Sequence, residues 1–307
     1  MSYIPLIFLE VIVPLLILLG IGALLQKKFE FRLRPIANLV TYCFLPAAVF
    51  LNLYEAEIDI GLLGQLTLYL VLFIVIVTIF GELLSRSLGL GGGEEAALKN
   101  SISLMNSGNY GLPVSQLVFS ANPVGVSVQI LVLVVQNLLT FTYGLYNLRS
   151  SSKSLIEMMR ELLRLPVIHA MIGAFALKFL HADVPRFIMI PIEQLAGGFA
   201  AIALLLLGMQ LAQIEIRSFH RVIAWSALGR LVVGPGIALV LILLLGIEGV
   251  IAQSLFIASA FPTSRNTATL ALEYDVEPEL HAQVVLYSTL LSSITVTLVI
   301  YLSMQIF

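Results

Sequence analysis

Long apolar stretches alternate along the chain with short polar ones, and the apolar stretches have the length of a membrane crossing. A helix rises 1.5 Å per residue, so about 20 apolar residues cross a ~30 Å hydrocarbon layer. Windows of this kind place ten spans, at residues 4–25, 36–54, 62–84, 96–120, 124–147, 165–181, 188–212, 222–246, 249–272 and 281–305. The expected fold is therefore all-α and integral to a membrane. In the longest connection, Asn147 to Arg164, Leu155, Ile156, Met159, Leu162 and Leu163 fall on one face, which predicts a short amphipathic helix.

Two spans do not read as continuous helices. In the fourth, Asn106, Ser107, Gly108, Asn109, Tyr110 and Gly111 form a run of poor helix formers, and Pro113 follows. In the ninth, Pro262 is followed by Thr263, Ser264, Arg265, Asn266 and Thr267. Backbone freed at membrane depth costs several kcal/mol unless it is satisfied, so it survives only inside protein or beside a polar cavity. Each span is expected to form two half-helices around a break. A plain kink patched by Asn and Ser side chains is the alternative for the fourth.

Composition supports the membrane assignment. The chain of 307 residues is 59% hydrophobic and 11% charged, against roughly 25% charged in a soluble domain. Mean hydropathy is +1.03. The net charge of -2 comes with no basic patch, so nucleic acid is not an expected partner. A single cysteine, Cys43, excludes an intrachain disulfide and a multi-cysteine metal site, and no cofactor is expected. The opening MSYIPLIFLEVIVPLL has neither a basic start nor a small-residue cleavage pattern, and is expected to be a first span rather than a leader.

Loop charge predicts orientation. Lys27, Lys28, Arg32, Arg34, Arg86, Lys99, Arg149, Lys153, Arg160, Arg164, Arg217 and Arg221 all fall in or beside odd-numbered loops, whereas only Lys178 and Arg186 mark the other side. The positive-inside rule then puts both termini outside, in a plasma or inner membrane. The acidic loop EYDVEPELH also falls inside, and acidic residues count little in that rule. Spans 1–5 and 6–10 enter from opposite sides, as an inverted repeat requires, and the two interrupted spans occupy equivalent positions. An offset of 154 aligns Asn109 with Thr263 and Gln129 with Gln283, with few other identities. The halves are expected at 1–148 and 165–307, joined by a cytoplasmic connector at 149–164.

Crossed half-helices would bring partial positive helix ends and unpaired amides together, which suits an anion. Arg265 adds a full charge, with no Asp or Glu in either break to pair with it. It is assigned to a substrate carboxylate; capping half-helix carbonyls, or pairing with a carboxylate on another span, remains the alternative. Asn106, Ser107, Asn109, Pro113, Pro262, Thr263, Ser264, Arg265, Asn266 and Thr267 are the candidate substrate-binding residues. The polar ones are equally able to satisfy freed backbone.

The run from Asn106 to Pro113, NSGNYGLP, resembles the fourth-helix signature of the auxin efflux carrier (PIN-like) family, which includes bacterial malate and malonate permeases. The ninth-span Ala260-Phe-Pro-Thr-Ser264, the tenth-span Tyr287-Ser-Thr-Leu-Leu-Ser292 and the seventh-span Leu207-Gly-Met-Gln-Leu211 are similar to further family stretches. The resemblance implies two inverted five-helix repeats with crossing fourth and ninth helices. It also implies a scaffold of helices 1, 2, 6 and 7, a transport domain of helices 3–5 and 8–10, and a homodimer with an elevator-type motion. Arg265 is not part of the family pattern, so its role rests on charge alone.

Other intramembrane polar residues have blander accounts beside the functional ones. Glu10 takes up a proton, faces a watery entry, or snorkels to the surface. Gln136 and Asn137 are candidates for a coupling-ion or interface role, against interhelical hydrogen bonding. That bonding is also the expectation for Asn52, Gln129, Gln194 and Gln210. His169 and His281 lack metal-ligand spacing. Glu82 and Arg86 fit an i,i+4 pair. Gly91-Gly92-Gly93 lacks the Lys-Ser/Thr of a phosphate loop and reads as a turn. The sequence therefore points to a secondary carrier of small organic anions embedded in lipid, such as mono- or dicarboxylates, and the resemblance implies malate or auxin-like acids among them. The alternatives are a sodium-coupled symporter of the bile-acid type and a non-transporting membrane sensor. An enzyme is not expected, because no nucleophile–base pair, metal cluster or acidic diphosphate motif occurs at usable spacing.

Overall fold

In lipid, Leu, Ile, Val and Ala side chains leave the backbone no hydrogen-bond partner but itself, and helices result. A computed structural model describes residues 3–55, 60–148, 160, 163–215 and 220–307. All regular structure among them is helical. Among the described residues seven helices are long and apolar enough to cross a membrane alone. These are α1 (Ile4–Phe29), α2 (Leu33–Glu55), α3 (Gly64–Ser87), α6 (Pro123–Asn147), α8 (Arg186–Leu211), α9 (Arg221–Leu244) and α12 (Pro278–Ile306). Between them lie α4 (Gly92–Ser103), α5 (Leu112–Val118), α7 (Pro166–Phe179), α10 (Gly249–Ser259) and α11 (Arg265–Glu273). The predicted fourth span is thus α4 and α5 in line, and the ninth is α10 and α11. The amphipathic connector expected before Arg164 falls largely outside the described residues.

The breaks are shorter than the sequence suggests. Only Leu104, Met105 and Asn106 leave the helix in the first; Ser107–Gly111 stays helical as a wide π turn leading into α5. Pro113 is the second residue of α5 and follows directly on that π turn, so its missing N–H is taken up inside a continuous helix by the wide turn before it. In the second break, α11 starts directly at Arg265, capped by the Ser264 hydroxyl, which accepts the Asn266 N–H at 3.3 Å.

Two groups of helices pack internally. Helix α8 lies against α1 and α2, and α7 lies against α2. The α1–α8 contact depends on two glycines. A Cβ on Gly22 would overlap the Leu205 carbonyl, and a Cβ on Gly208 would overlap the Leu19 carbonyl. Without a hydrophobic drive between helices in lipid, such close backbone approach is what holds them together. In the second group α6 packs on α10, α9 on α12 and α4, and α11 on α12. Further π turns interrupt α2 at Val40–Phe44, α6 at Thr140–Gly144 and α9 at Gly229–Val233.

Candidate functional site

The two breaks meet. Met105 and Thr263 form an antiparallel bridge. The Asn106 N–H donates to the Pro262 carbonyl at 2.8 Å, and the Ser264 N–H donates to the Leu104 carbonyl at 2.8 Å. Two short extended segments thus satisfy each other where neither helix can.

Neighbouring side chains complete the accounting. Gln136 Oε1 accepts the Met105 N–H at 3.1 Å, and Gln129 Nε2 donates to the Ser107 carbonyl at 3.0 Å. Ser288 Oγ accepts the Thr263 N–H at 3.2 Å, and Thr263 Oγ1 donates to the Ser101 carbonyl at 3.0 Å. Arg230 Nη1 donates to the Ile102 carbonyl at 2.7 Å, and its Nη2 donates to the Ser259 carbonyl. Packing closes the joint from behind. The Tyr110 and Phe261 rings meet edge to face at 5.8 Å, and a Cβ on Gly111 would lie 2.6 Å from the Phe261 ring. Only glycine fits at 111.

Beside this crossover lies a cavity of about 310 Å³. Its polar wall is made by Asn106, Ser107 and Asn109 of the first break and by Ser264, Arg265 and Asn266 of the second. Gln136 and Asn137 of α6 join them, with Thr269 and Glu273 of α11. The opposite wall, from α2, α7 and α8, is apolar except for Thr41; Val40, Leu45, Val167 and Leu206 belong to it. The lining residues of α7 sit in its first turn, next to Arg164, and those of α2 run from Ala37 to the helix middle at Leu45. Those of α11 reach its last residue, Glu273, and those of α6 run from its middle at Leu133 to Phe141. The cavity therefore runs from the middle of these helices toward the Lys/Arg-rich loops.

Three residues that line this cavity also carry a buried polar atom with no partner. Asn106 is 5% exposed and Ser107 3%, yet neither Asn106 Nδ2 nor Ser107 Oγ has a partner. Arg265 Nε is also buried without one, while its Nη2 donates to Thr269 Oγ1 at 3.2 Å. Among the described residues no carboxylate lies within ion-pair distance of Arg265. Buried donors of this kind each cost about 1–3 kcal/mol when unmatched. All three belong to residues of one cavity wall, where a side-chain rotation would offer them to a ligand that brings acceptors.

Residues 7–300 match the family described as Membrane transport protein. The chain belongs to this family, the auxin-efflux-carrier, PIN-like group of membrane transporters. No curated protein matches it. The family is one of transporters and not of enzymes, and with the long apolar helices it makes this a multi-pass membrane protein.

Within this transporter the candidate residues divide. Asn106, Ser107, Asn109, Ser264, Arg265 and Asn266 line the cavity, as do Gln136 and Asn137. Pro113, Pro262, Thr263 and Thr267 are not part of its lining. Thr263 is spent on the crossover backbone, and Thr267 Oγ1 donates to the Ser264 carbonyl at 2.8 Å. Glu10 is exposed in a π turn of α1, away from the cavity. His169 and His281 each bond the carbonyl four residues earlier in the chain. Glu82 meets Arg86 at 2.9 Å, and it also meets Lys99 at 2.8 Å, which α4 brings to α3. Sequence reasoning missed Arg230, Ser288 and Glu273. A signal for Arg230 was present: an Arg inside a span, one residue after Gly229 and four before Gly234.

Proposed function

We propose that the protein is a secondary transporter of small organic anions, with carboxylates held at the crossover. The observation that carries this reading is that Asn106, Ser107 and Arg265, each with a buried donor that has no partner, line one cavity at the crossover. A carboxylate offers about four lone-pair sites and a negative charge, and it matches such a set. Arg265 supplies the charge and Asn109, Ser264 and Asn266 the remaining polar contacts. Gln136 and Asn137 hold the side of the site next to the break, or contribute to a coupling-ion site. The chain's own residues then bind and release; no covalent chemistry is required of them.

The wider architecture fits the same proposal. We read the chain as ten spans in two inverted five-helix repeats, 1–148 and 165–307. Helices α1, α2, α7 and α8 form a scaffold, and the rest form a moving domain that carries the crossover. The cavity separates these two groups, with polar groups on the moving side and apolar groups on the scaffold side. An apolar wall lets the polar domain slide without breaking specific bonds, which suits an elevator-type motion in a homodimer. With the Lys/Arg-rich loops inside a plasma or inner membrane and both termini outside, the cavity faces the cytoplasm. Moving one charge across 100 mV is worth about 2.3 kcal/mol, so export of an anion from a cell negative inside needs no driving ion.

The test is a thermal-shift screen of the purified protein against small mono- and dicarboxylates, with and without Na⁺, at two pH values. Stabilisation by at least one carboxylate, followed by counterflow of that labelled compound in proteoliposomes, is the expected result. Binding without counterflow would mark a sensor. Binding only in Na⁺ would mark a symporter of the bile-acid type. Absence of any carboxylate response would defeat the anion reading.

A further inference from the structure

Arg230 is fully buried at 0% exposure, in the π turn Gly229–Val233 of α9. Among the described residues it has no acidic partner within ion-pair distance. Its two terminal nitrogens instead go to carbonyls of different helices: Ile102 in the last turn of α4, and Ser259, the last residue of α10. These are the C-terminal ends of the two half-helices that lead into the breaks. Each such end carries about −0.5 charge, so one guanidinium offsets both. The planar fork is what permits this, because an ammonium is a point donor. Space is matched as well: a Cβ on Gly234 would lie 3.1 Å from Arg230 Nη2, and a Cβ on Gly229 would lie 2.8 Å from the Ile102 side chain. Glycines on both sides let α9 approach closely enough to insert the fork.

We propose that Arg230 is the positioning residue of the crossover, fixing the two incoming half-helices to each other so that both breaks present their donors to one cavity. Among the described residues its hydrogen bonds reach no cavity residue's side chain, and it acts through Ile102 and Ser259. Charge follows the same logic. The negative helix ends are neutralised behind the crossover, and Arg265 is left as the cation of the cavity lining. The bearing on transport rests on reading the crossover as the substrate site; the positional claim does not.

The experiment uses no substrate. In a Cys43→Ser background, Met105→Cys and Thr263→Cys place a thiol on each side of the antiparallel bridge, and the rate of oxidative cross-linking in membranes reports their registry. Arg230→Met removes both bonds and should slow cross-linking roughly tenfold or more, as expected for losing charge-assisted bonds at 1.4 kcal/mol per decade. Arg230→Lys keeps the charge but reaches one carbonyl, and should fall between Met and the parent while remaining monodisperse. A parental rate in either folded variant would overturn the proposal. Should the Met variant fail to fold, the Lys variant decides. Collapse of the Lys variant as well would assign Arg230 to general stability and overturn a positioning role. If cross-linking behaves as expected while no carboxylate binds the unmodified protein, the anion reading fails and the positioning role stands.

Discussion

Replacing Arg265 with Gln should separate binding from stability, and the structure sets the sizes. Among the described residues the side chain has one hydrogen bond, to Thr269 Oγ1 at 3.2 Å, and its Nε is buried and unpaired. Losing that bond costs about 1.5–3 kcal/mol at most, and removing a guanidinium from the membrane interior returns about 2.5–3.5 kcal/mol on the insertion scale. The unliganded variant should therefore melt at or slightly above the parent temperature. With a carboxylate present the balance reverses. Loss of charge-assisted bonds from the guanidinium removes about 2.7 kcal/mol, about a hundredfold in affinity. At a ligand concentration 100 times the parent Kd, ligand-induced stabilisation should drop from about 2.7 to about 0.4 kcal/mol. Thermal unfolding of purified parent and variant, titrated with a carboxylate that stabilises the parent, measures both quantities. An unchanged Kd would refute the assignment of Arg265. A large loss of unliganded stability would show instead that the guanidinium supports the fold.

Other substitutions test neighbouring parts of the argument. Gly22→Val and Gly208→Val each place atoms into a facing backbone carbonyl and should destabilise by about 1–3 kcal/mol or more, read as a lower melting temperature. Gly20→Val, with nothing within 4 Å of its Cβ, is the control and should melt close to the parent apart from its propensity cost. Gln136→Leu leaves the buried Met105 N–H unpaired and should cost about 1–3 kcal/mol; an unchanged melting curve would mean the break needs no such support. Asn109→Ala and Pro262→Ala should each slow counterflow in proteoliposomes, the first through the cavity wall and the second by loosening the strand that accepts the Asn106 N–H. Wild-type flux in both would count against the crossover as the site.

Hydropathy and the clustering of poor helix formers determined a great deal. They are local properties, and in lipid a local excess of apolar residues leaves the backbone no choice but helix. The same local reading showed that two spans must fail as single helices, because Asn106–Gly111 and Pro262–Asn266 cannot hide their polarity in hydrocarbon. It overestimated the extent of the failure. A π turn precedes Pro113 and accommodates its missing N–H, so Asn109, Tyr110 and Gly111 remain helical. Tertiary structure decided which polar groups support backbone and which stay free, because that depends on what lies across the break. Thr263 and Gln129 have carbonyl partners from other segments, Asn106 Nδ2 and Ser107 Oγ have none, and composition cannot separate the two classes. The same holds for the two intramembrane arginines. Both are equally costly residues in the sequence, yet α9 delivers Arg230 to two carbonyls 128 and 29 residues away, while Arg265 is left facing a cavity.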